Sequence, residues 1–339
     1  MHTEELPQFN VIFIPGTVDF QSIALMSLLL NSDLKFRLVG NSLNQKEAAL
    51  LAQISECSDR LSWVNFESKH IIPHGTLVDL LLLSERDGYF AFCDSDLFLF
   101  NTLEQQHIKT LMGDAAVFSS GGRIENQDDV TYAGFKGGAT TVSPDGLIDL
   151  ATSFFCLYQR RALEQVRSDY HVGFEQYRKR SQIPSNALAV VERLGLEYDM
   201  FDTGKLISVL LHEMGEQKVY AELPGLVHIG GMSGRYLQEL DLECDSVVIT
   251  EQDLPAFENT QVDQFQRRNE YEKSLKRFYG KYFYIFLKHL IGGAPKPTLQ
   301  ATDERIINTV KTLETSINGV IKQAQLDRAC ARIWQLIKT

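Results

Sequence analysis

Short apolar runs and longer helix-favouring segments alternate through the first hundred residues. Val11–Ile14 is an apolar run stopped by Pro15-Gly16, and Ile23–Leu30 has a helical composition. Lys35–Val39 reads as a strand that stops at Gly40-Asn41, after which Asn44 is placed to cap a helix over Gln45–Ile54. Leu61–Phe66 reads as a third strand, Thr76–Leu83 as a helix following Pro73, and Tyr89–Cys93 as a fourth strand ending in Asp94. Repeated strand–helix alternation predicts a parallel sheet with covering helices. Ligands of such sheets sit beyond the carboxyl ends of the strands, so chemistry is expected near Gly16, Gly40, Glu67 and Asp94.

Beyond residue 115 the pattern loosens. Ala115–Ser119 reads as a strand, followed by the turn-rich Ser120–Asp129, the Gly-dense Gly134–Gly138 and a short run at Thr140–Val142. Thr152–Leu157 is expected to be a strand feeding a helix near Arg161, and the polar stretch 167–186 an exposed loop or lid. Asp202–Leu211 reads as a helix, with Lys218–Leu223 and Leu226–Ile229 after it. The chain is then acidic and irregular to about residue 263. Ile306, Val310, Leu313, Ile317, Val320 and Ala324 follow the four-three spacing of an amphipathic helix.

Charge sharpens that division. The 339 residues carry a formal net charge of −11, but residues 264–339 hold 14 Lys/Arg against 6 Asp/Glu. Within this basic tail, Lys276-Arg277-Phe278-Tyr279-Gly280-Lys281-Tyr282-Phe283-Tyr284 interleaves cations with aromatics. Such a pattern suits an anionic membrane interface; it equally suits a helix that packs its rings inward while its lysines snorkel into water. The acidic remainder argues against nucleic acid as a partner. With 44% hydrophobic and 23% charged residues, the chain is neither collagen-like, low-complexity nor disordered.

Cys57, Cys93, Cys156, Cys244 and Cys330 are too scattered for a zinc site or a disulfide framework. Met1–Gln8 lacks the basic start of a secretory signal, and no apolar stretch reaches the roughly 20 residues that span a bilayer. The expected location is cytoplasmic, with attachment at the inner membrane surface through the tail as the variant.

The segment richest in chemistry is Tyr89-Phe90-Ala91-Phe92-Cys93-Asp94-Ser95-Asp96. Buried carboxylates are costly unless paired or bound to a metal. Residues i and i+2 of an extended strand point the same way, so Asp94 and Asp96 can reach one cation. Oxygen ligands favour Mg²⁺ or Mn²⁺ bound together with substrate phosphates.

These residues resemble the Asp-x-Asp motif of metal-dependent glycosyltransferases of GT-A fold, in particular bacterial-type nucleotide-sugar transferases. The resemblance extends to Pro73–Leu81, similar to the donor-facing helix before that motif, and to Leu226–Arg235, which contains His228-Ile229-Gly230-Gly231. It covers residues 9–235. It implies an α/β, Rossmann-like, mixed but mainly parallel sheet flanked by helices, forming a nucleotide-sugar-binding catalytic domain over 1–235. Charge and periodicity add an acidic irregular linker over 236–263 and a basic, aromatic-rich helical extension over 264–339, both outside the resemblance. The resemblance also implies transfer of a sugar from a nucleoside diphosphate-sugar to a hydroxyl acceptor, which is a glycan, a lipid carrier, a metabolite or a protein. Asp96 is the expected direct metal ligand, with Asp94 meeting the metal through water or the ribose, and His228 the third ligand. Pro15, Gly16, Thr17 and Ser95 are expected around the nucleotide, Asp79 at the donor sugar, and Gly230, Gly231, Ser233 and Arg235 at the diphosphate. Asp202, ahead of Asp199, is the candidate base, although Asp202 also reads as the N-cap of the helix at Gly204–Leu211. The tail offers a peripheral membrane or homo-oligomer contact.

Three other readings compete. A dehalogenase-type phosphotransferase places its Asp-x-Asp on the first strand, which is not the case here. A metal-dependent nucleotidyltransferase would show a Gly-rich basic loop where Pro15-Gly16-Thr17-Val18-Asp19 stands. A non-catalytic scaffold on a degenerate transferase fold would have no use for Asp94, Asp96 and His228 together.

Overall fold

The computed structural model describes residues 6–121, 134–136, 140–143, 146–196, 198–230, 232, 248–249, 278–301 and 303–338. The first half follows the predicted alternation: β1 (Phe9–Phe13), α1 (Val18–Asn31), β2 (Phe36–Asn41), α2 (Gln45–Ser55), β3 (Leu61–Phe66), α3 (His74–Ser84) and β4 (Tyr89–Asp94). Asn44 caps α2 by accepting from the Glu47 amide, as its position before the helix suggests. These four strands are mutually parallel, in the order β4–β1–β2–β3.

The second half is more broken. β5 (Leu97–Leu99), α4 (Gln105–Met112), β6 (Val117–Ser120), β7 (Gly134–Lys136), β8 (Thr140–Ser143) and β9 (Gly146–Asp149) lead to β10 (Phe155–Gln159) and α5 (Arg160–Tyr170). Then come α6 (Ser185–Arg193), β11 (Tyr198–Phe201), α7 (Lys205–Glu213), β12 (Lys218–Tyr220) and β13 (Leu226–His228). β10 runs antiparallel between β4 and β6, and β12 adds parallel to β6, completing a mixed seven-stranded sheet. The strand expected from Thr152 starts only at Phe155. Before it, the Thr152 hydroxyl donates to the Ser120 carbonyl and the Ala151 amide to the Ser208 hydroxyl, so that stretch bonds through side chains rather than a ladder.

Alternation along the strands divides the core in two. Phe9, Val11, Phe13, Ala91, Cys93, Phe155 and Leu157 face α1, α2 and α4, whereas Phe90, Phe92, Cys156 and Tyr158 face α3, α5, α6 and α7. Period-two placement of this kind requires apolar cover on both faces of the sheet. α1 is buried almost from end to end, from Val18 through Leu29. A helix apolar on all sides needs a layer outside it as well as the sheet beneath.

That layer is the C-terminal region: α8 (residues 278–290), α9 (Glu304–Ala324) and α10 (Arg328–Ile337). Phe278, Tyr279, Tyr282, Phe283 and Phe286 of α8 are buried in the same cluster as α1, and Ile306, Val310, Ile317 and Ile333 join them. Phe20 meets Tyr284 edge-on at 5.0 Å, and Lys288 turns outward to pair with Asp19 at 2.7 Å. Phe283→Ala is therefore expected to cost about 3–5 kcal/mol of stability, read as a lower urea midpoint for the whole chain. A loss under about 1 kcal/mol would mean that α8 is not part of this core. Among the described residues no helix is long and apolar enough to cross a membrane, and the four described cysteines, Cys57, Cys93, Cys156 and Cys330, are buried free thiols.

Candidate metal and donor site

β4 passes through the middle of the sheet and delivers Asp94 at its carboxyl end, in register with Ile12 of β1. The chain turns at Ser95 and returns as β5, which pairs antiparallel with β13 so that Leu97 lies opposite His228. This pairing brings His228, far along the sequence, to the Asp94–Asp96 motif. Its Nε2 lies 3.1 Å from Asp96 Oδ1 and 3.2 Å from Asp94 Oδ2. Phe154 stacks on the His228 ring at 4.0 Å and fixes its plane. The Ile229 amide faces the Asp96 carbonyl, and Gly230 follows with φ +71°, a conformation that favours glycine.

Ser95 lies in the turn between β4 and β5, and its side chain points inward. Its hydroxyl donates to Gln21 Oε1 at 2.8 Å, and Gln21 Nε2 donates to the Met232 carbonyl at 3.1 Å. Gln21 thus ties the Asp-x-Asp turn to the segment after His228 from underneath. It is a buried amide on an otherwise apolar helix face, and that mismatch was the sequence signal that could have marked it.

The cluster has the chemistry of a cation site. Asp96 is fully buried, and one oxygen or nitrogen from each of Asp94, Asp96 and His228 lies within 4.8 Å of the others. Ligands on adjacent corners of an octahedron with bonds near 2.1 Å lie about 3.0 Å apart, close to the two contacts His228 makes here. Burial by itself would depress the His228 imidazole, but the Asp96 and Asp94 carboxylates outweigh it and hold the pKa up to about 9. Without a metal, a proton on His228 is the counter-charge the two carboxylates require. The His74 ring, at the start of α3, stands 4.0 Å from Asp94 Oδ1 at the open side.

No protein-family model and no curated protein matches the chain by sequence. Similar solved structures include the bifunctional glycosyltransferase WbbM, at 11% identity and TM-score 0.37 over 81% of this chain and 45% of that one. Another is the mannosyltransferase PcManGT from Pyrobaculum calidifontis, solved with GDP-Man and Mn²⁺, at 11% identity and TM-score 0.36 over 65% and 58% of the two chains. A third is residues 1–349 of S. aureus TarS, at 12% identity and TM-score 0.37 over 98% and 89%. The chain spans about half the length of the first two. At these identities the chemistry has to be read from the site itself.

The other predicted residues have more local engagements. Thr17 is buried and exchanges hydrogen bonds with the Ile14 backbone, closing the turn in which Pro15 and Gly16 are exposed. Gly16 and Asp19 line a cavity of about 670 Å³ together with Lys46, Glu47, Lys288 and Lys338, and the Gly16 amide donates to Glu47. Asp79 is bonded to Arg167 at 2.7 Å and to the Phe174 amide at 2.9 Å. Asp202 does not cap α7: the N-cap is Gly204 in a left-handed conformation, without a side-chain cap bond. The Asp202 carboxylate instead accepts from the Thr203 amide and from Gln176 Nε2. Gly231, Ser233 and Arg235 lie outside the described residues, as does the Asp199 side chain.

Proposed function

We propose that this protein is a divalent-metal-dependent glycosyltransferase moving a sugar from a nucleoside diphosphate-sugar to a hydroxyl-bearing acceptor. The observation that carries the reading is the convergence of Asp94, Asp96 and His228 at the carboxyl edge of the sheet, where α/β folds receive ligands. Asp94, Asp96 and His228 would hold the cation, and two carboxylates with one imidazole suit Mn²⁺ better than Mg²⁺, which prefers oxygen alone. When bound, such a cation supplies Lewis-acid neutralisation of the diphosphate leaving group.

The remaining roles belong to this chain's own groups. Gln21 and Phe154 hold the motif and the imidazole in place, so little reorganisation accompanies binding. Gly230 and Gly231, with Ser233 and Arg235, are the proposed diphosphate contacts, since backbone amides and a guanidinium both suit anionic oxygens. Pro15, Gly16 and Thr17 are proposed beside the base. Asp202, steadied by Gln176 and the Thr203 amide, is proposed to take the proton of the acceptor hydroxyl.

Incubating the purified protein with Mn²⁺ and a panel of UDP- and GDP-sugars tests this. Release of nucleoside diphosphate from at least one donor is expected, and EDTA should abolish it. Release of pyrophosphate from a nucleoside triphosphate and a sugar phosphate would mean nucleotidyl transfer instead. Failure to bind or turn over any donor would favour a scaffold.

A further inference from the structure

Residues 171–178, read from the sequence as part of an exposed loop, are strapped down at both ends. Gly173 and Phe174 press against the first turns of α3. A side chain at Gly75 would meet the Phe174 carbonyl at 2.2 Å, and one at Gly173 would meet the Asp79 carboxylate at 2.3 Å. Asp79 grips this contact with both oxygens: Oδ1 takes a hydrogen bond from Arg167 of α5 and Oδ2 one from the Phe174 amide. The Phe174 ring is fully buried between Phe90, Phe92 and Tyr158.

The other end of the strap holds the corner that carries Asp202. Tyr177 and Phe201 exchange two backbone hydrogen bonds, each of 2.9 Å, and the Gly204 amide donates to the Phe174 carbonyl at 3.3 Å. Between these anchors Gln176 donates to Asp202, while Arg178 donates to Gln176 Oε1 at 3.1 Å. The same α3 turn that bears the Gly75 contact bears His74, beside Asp94. One short segment therefore joins the helix at the metal cluster to the carboxylate proposed as base.

We propose that Asp79 is a positioning residue: it fixes the 173–177 strap on α3, and through Gln176 the strap sets the orientation of Asp202 relative to the metal cluster. The assignment rests on the reading of Asp202 as the base, and it gives Asp79 a role other than contact with donor sugar. Asp79→Asn is the informative variant: it preserves size, but its single carbonyl oxygen can meet only one of the two donors, Arg167 and the Phe174 amide, and its NH2 then faces the other. Gln176→Ala, at an exposed side chain, cuts the far end of the link without touching the core.

Two measurements on the full chain test it. By hydrogen exchange, the amides of Phe174, Tyr177, Phe201 and Gly204 should exchange at least tenfold faster in Asp79→Asn, with those of Phe9–Phe13 unchanged. In Mn²⁺-dependent donor hydrolysis, both variants should lose tenfold or more in kcat, with donor KM and Mn²⁺ affinity within twofold of wild type. A role confined to stability would leave kcat intact in the folded protein. Unchanged exchange in Asp79→Asn, or unchanged kcat in both variants, overturns the proposal. Wild-type protein that exchanges as expected but binds no Mn²⁺ overturns the functional reading and leaves the strap standing as architecture.

Discussion

Asp96→Asn is expected to weaken Mn²⁺ binding by more than about a hundredfold, because even groups that only orient a metal ligand are worth about 10–100-fold in affinity. The substitution keeps the shape of a fully buried side chain and removes the charge that a cation would meet. In EDTA the variant should still unfold cooperatively, but at a lower midpoint than the wild type at neutral pH, because His228 keeps only Asp94, at 3.2 Å, of the two carboxylates that hold its proton. What should vanish is the rise in melting temperature expected of the wild type in Mn²⁺, which follows by mass action if the proposed site binds it. Calorimetric titration with Mn²⁺ alone reads the affinity directly. A variant that binds Mn²⁺ as tightly as the wild type would remove Asp96 from the site.

The second large effect is a pH dependence of stability in the metal-free protein. His228 is nearly buried, with a folded-state pKa of about 9, against about 6.5 for an unfolded histidine. The folded state therefore holds this proton more tightly. The resulting stabilisation is complete below about pH 6.5, declines as pH rises through the interval, and is gone above pH 9. Its size is about 3 kcal/mol. Mn²⁺ should oppose the trend, since it competes with the proton and its binding strengthens as pH rises. Urea unfolding in EDTA at pH 6.5 and pH 9, wild type against His228→Gln, isolates the contribution from that of other titrating groups. Equal pH dependence in the two proteins would contradict the ion-pair assignment.

The first four strands were legible because each is an apolar run closed by a local stop, such as Pro15-Gly16 or Gly40-Asn41. Asp94 and Asp96 were legible for the same reason, since two carboxylates directly after a core strand demand a partner. His228 is different. Nothing local marks it, and it meets Asp96 only because β13 pairs with β5. The family resemblance singled it out; hydrophobic periodicity could not, because register between distant strands leaves no local trace.

The strap shows the converse failure. Its polar composition suggested an exposed loop or lid, yet Phe174 within it is fully buried and Gly173 fits only because it lacks a side chain. Asp202 misled as an N-cap because Asp before a helix usually caps it, whereas here Gly204 intervenes in a left-handed turn. The aromatic-rich tail was legible as helix, but its placement followed from α1. A helix with no polar face had to be covered, and α8, α9 and α10 are what cover it.

Nucleoside diphosphate-sugar binding, titrated by calorimetry into wild-type protein first with Mn²⁺ and then with EDTA, bears most directly on whether the Asp94–Asp96–His228 cluster receives a donor through a metal. Expected is binding of at least one UDP- or GDP-sugar in Mn²⁺ that is lost in EDTA and lost again in Asp96→Asn with Mn²⁺ present. Binding of equal strength in Mn²⁺, in EDTA and in the variant would contradict it.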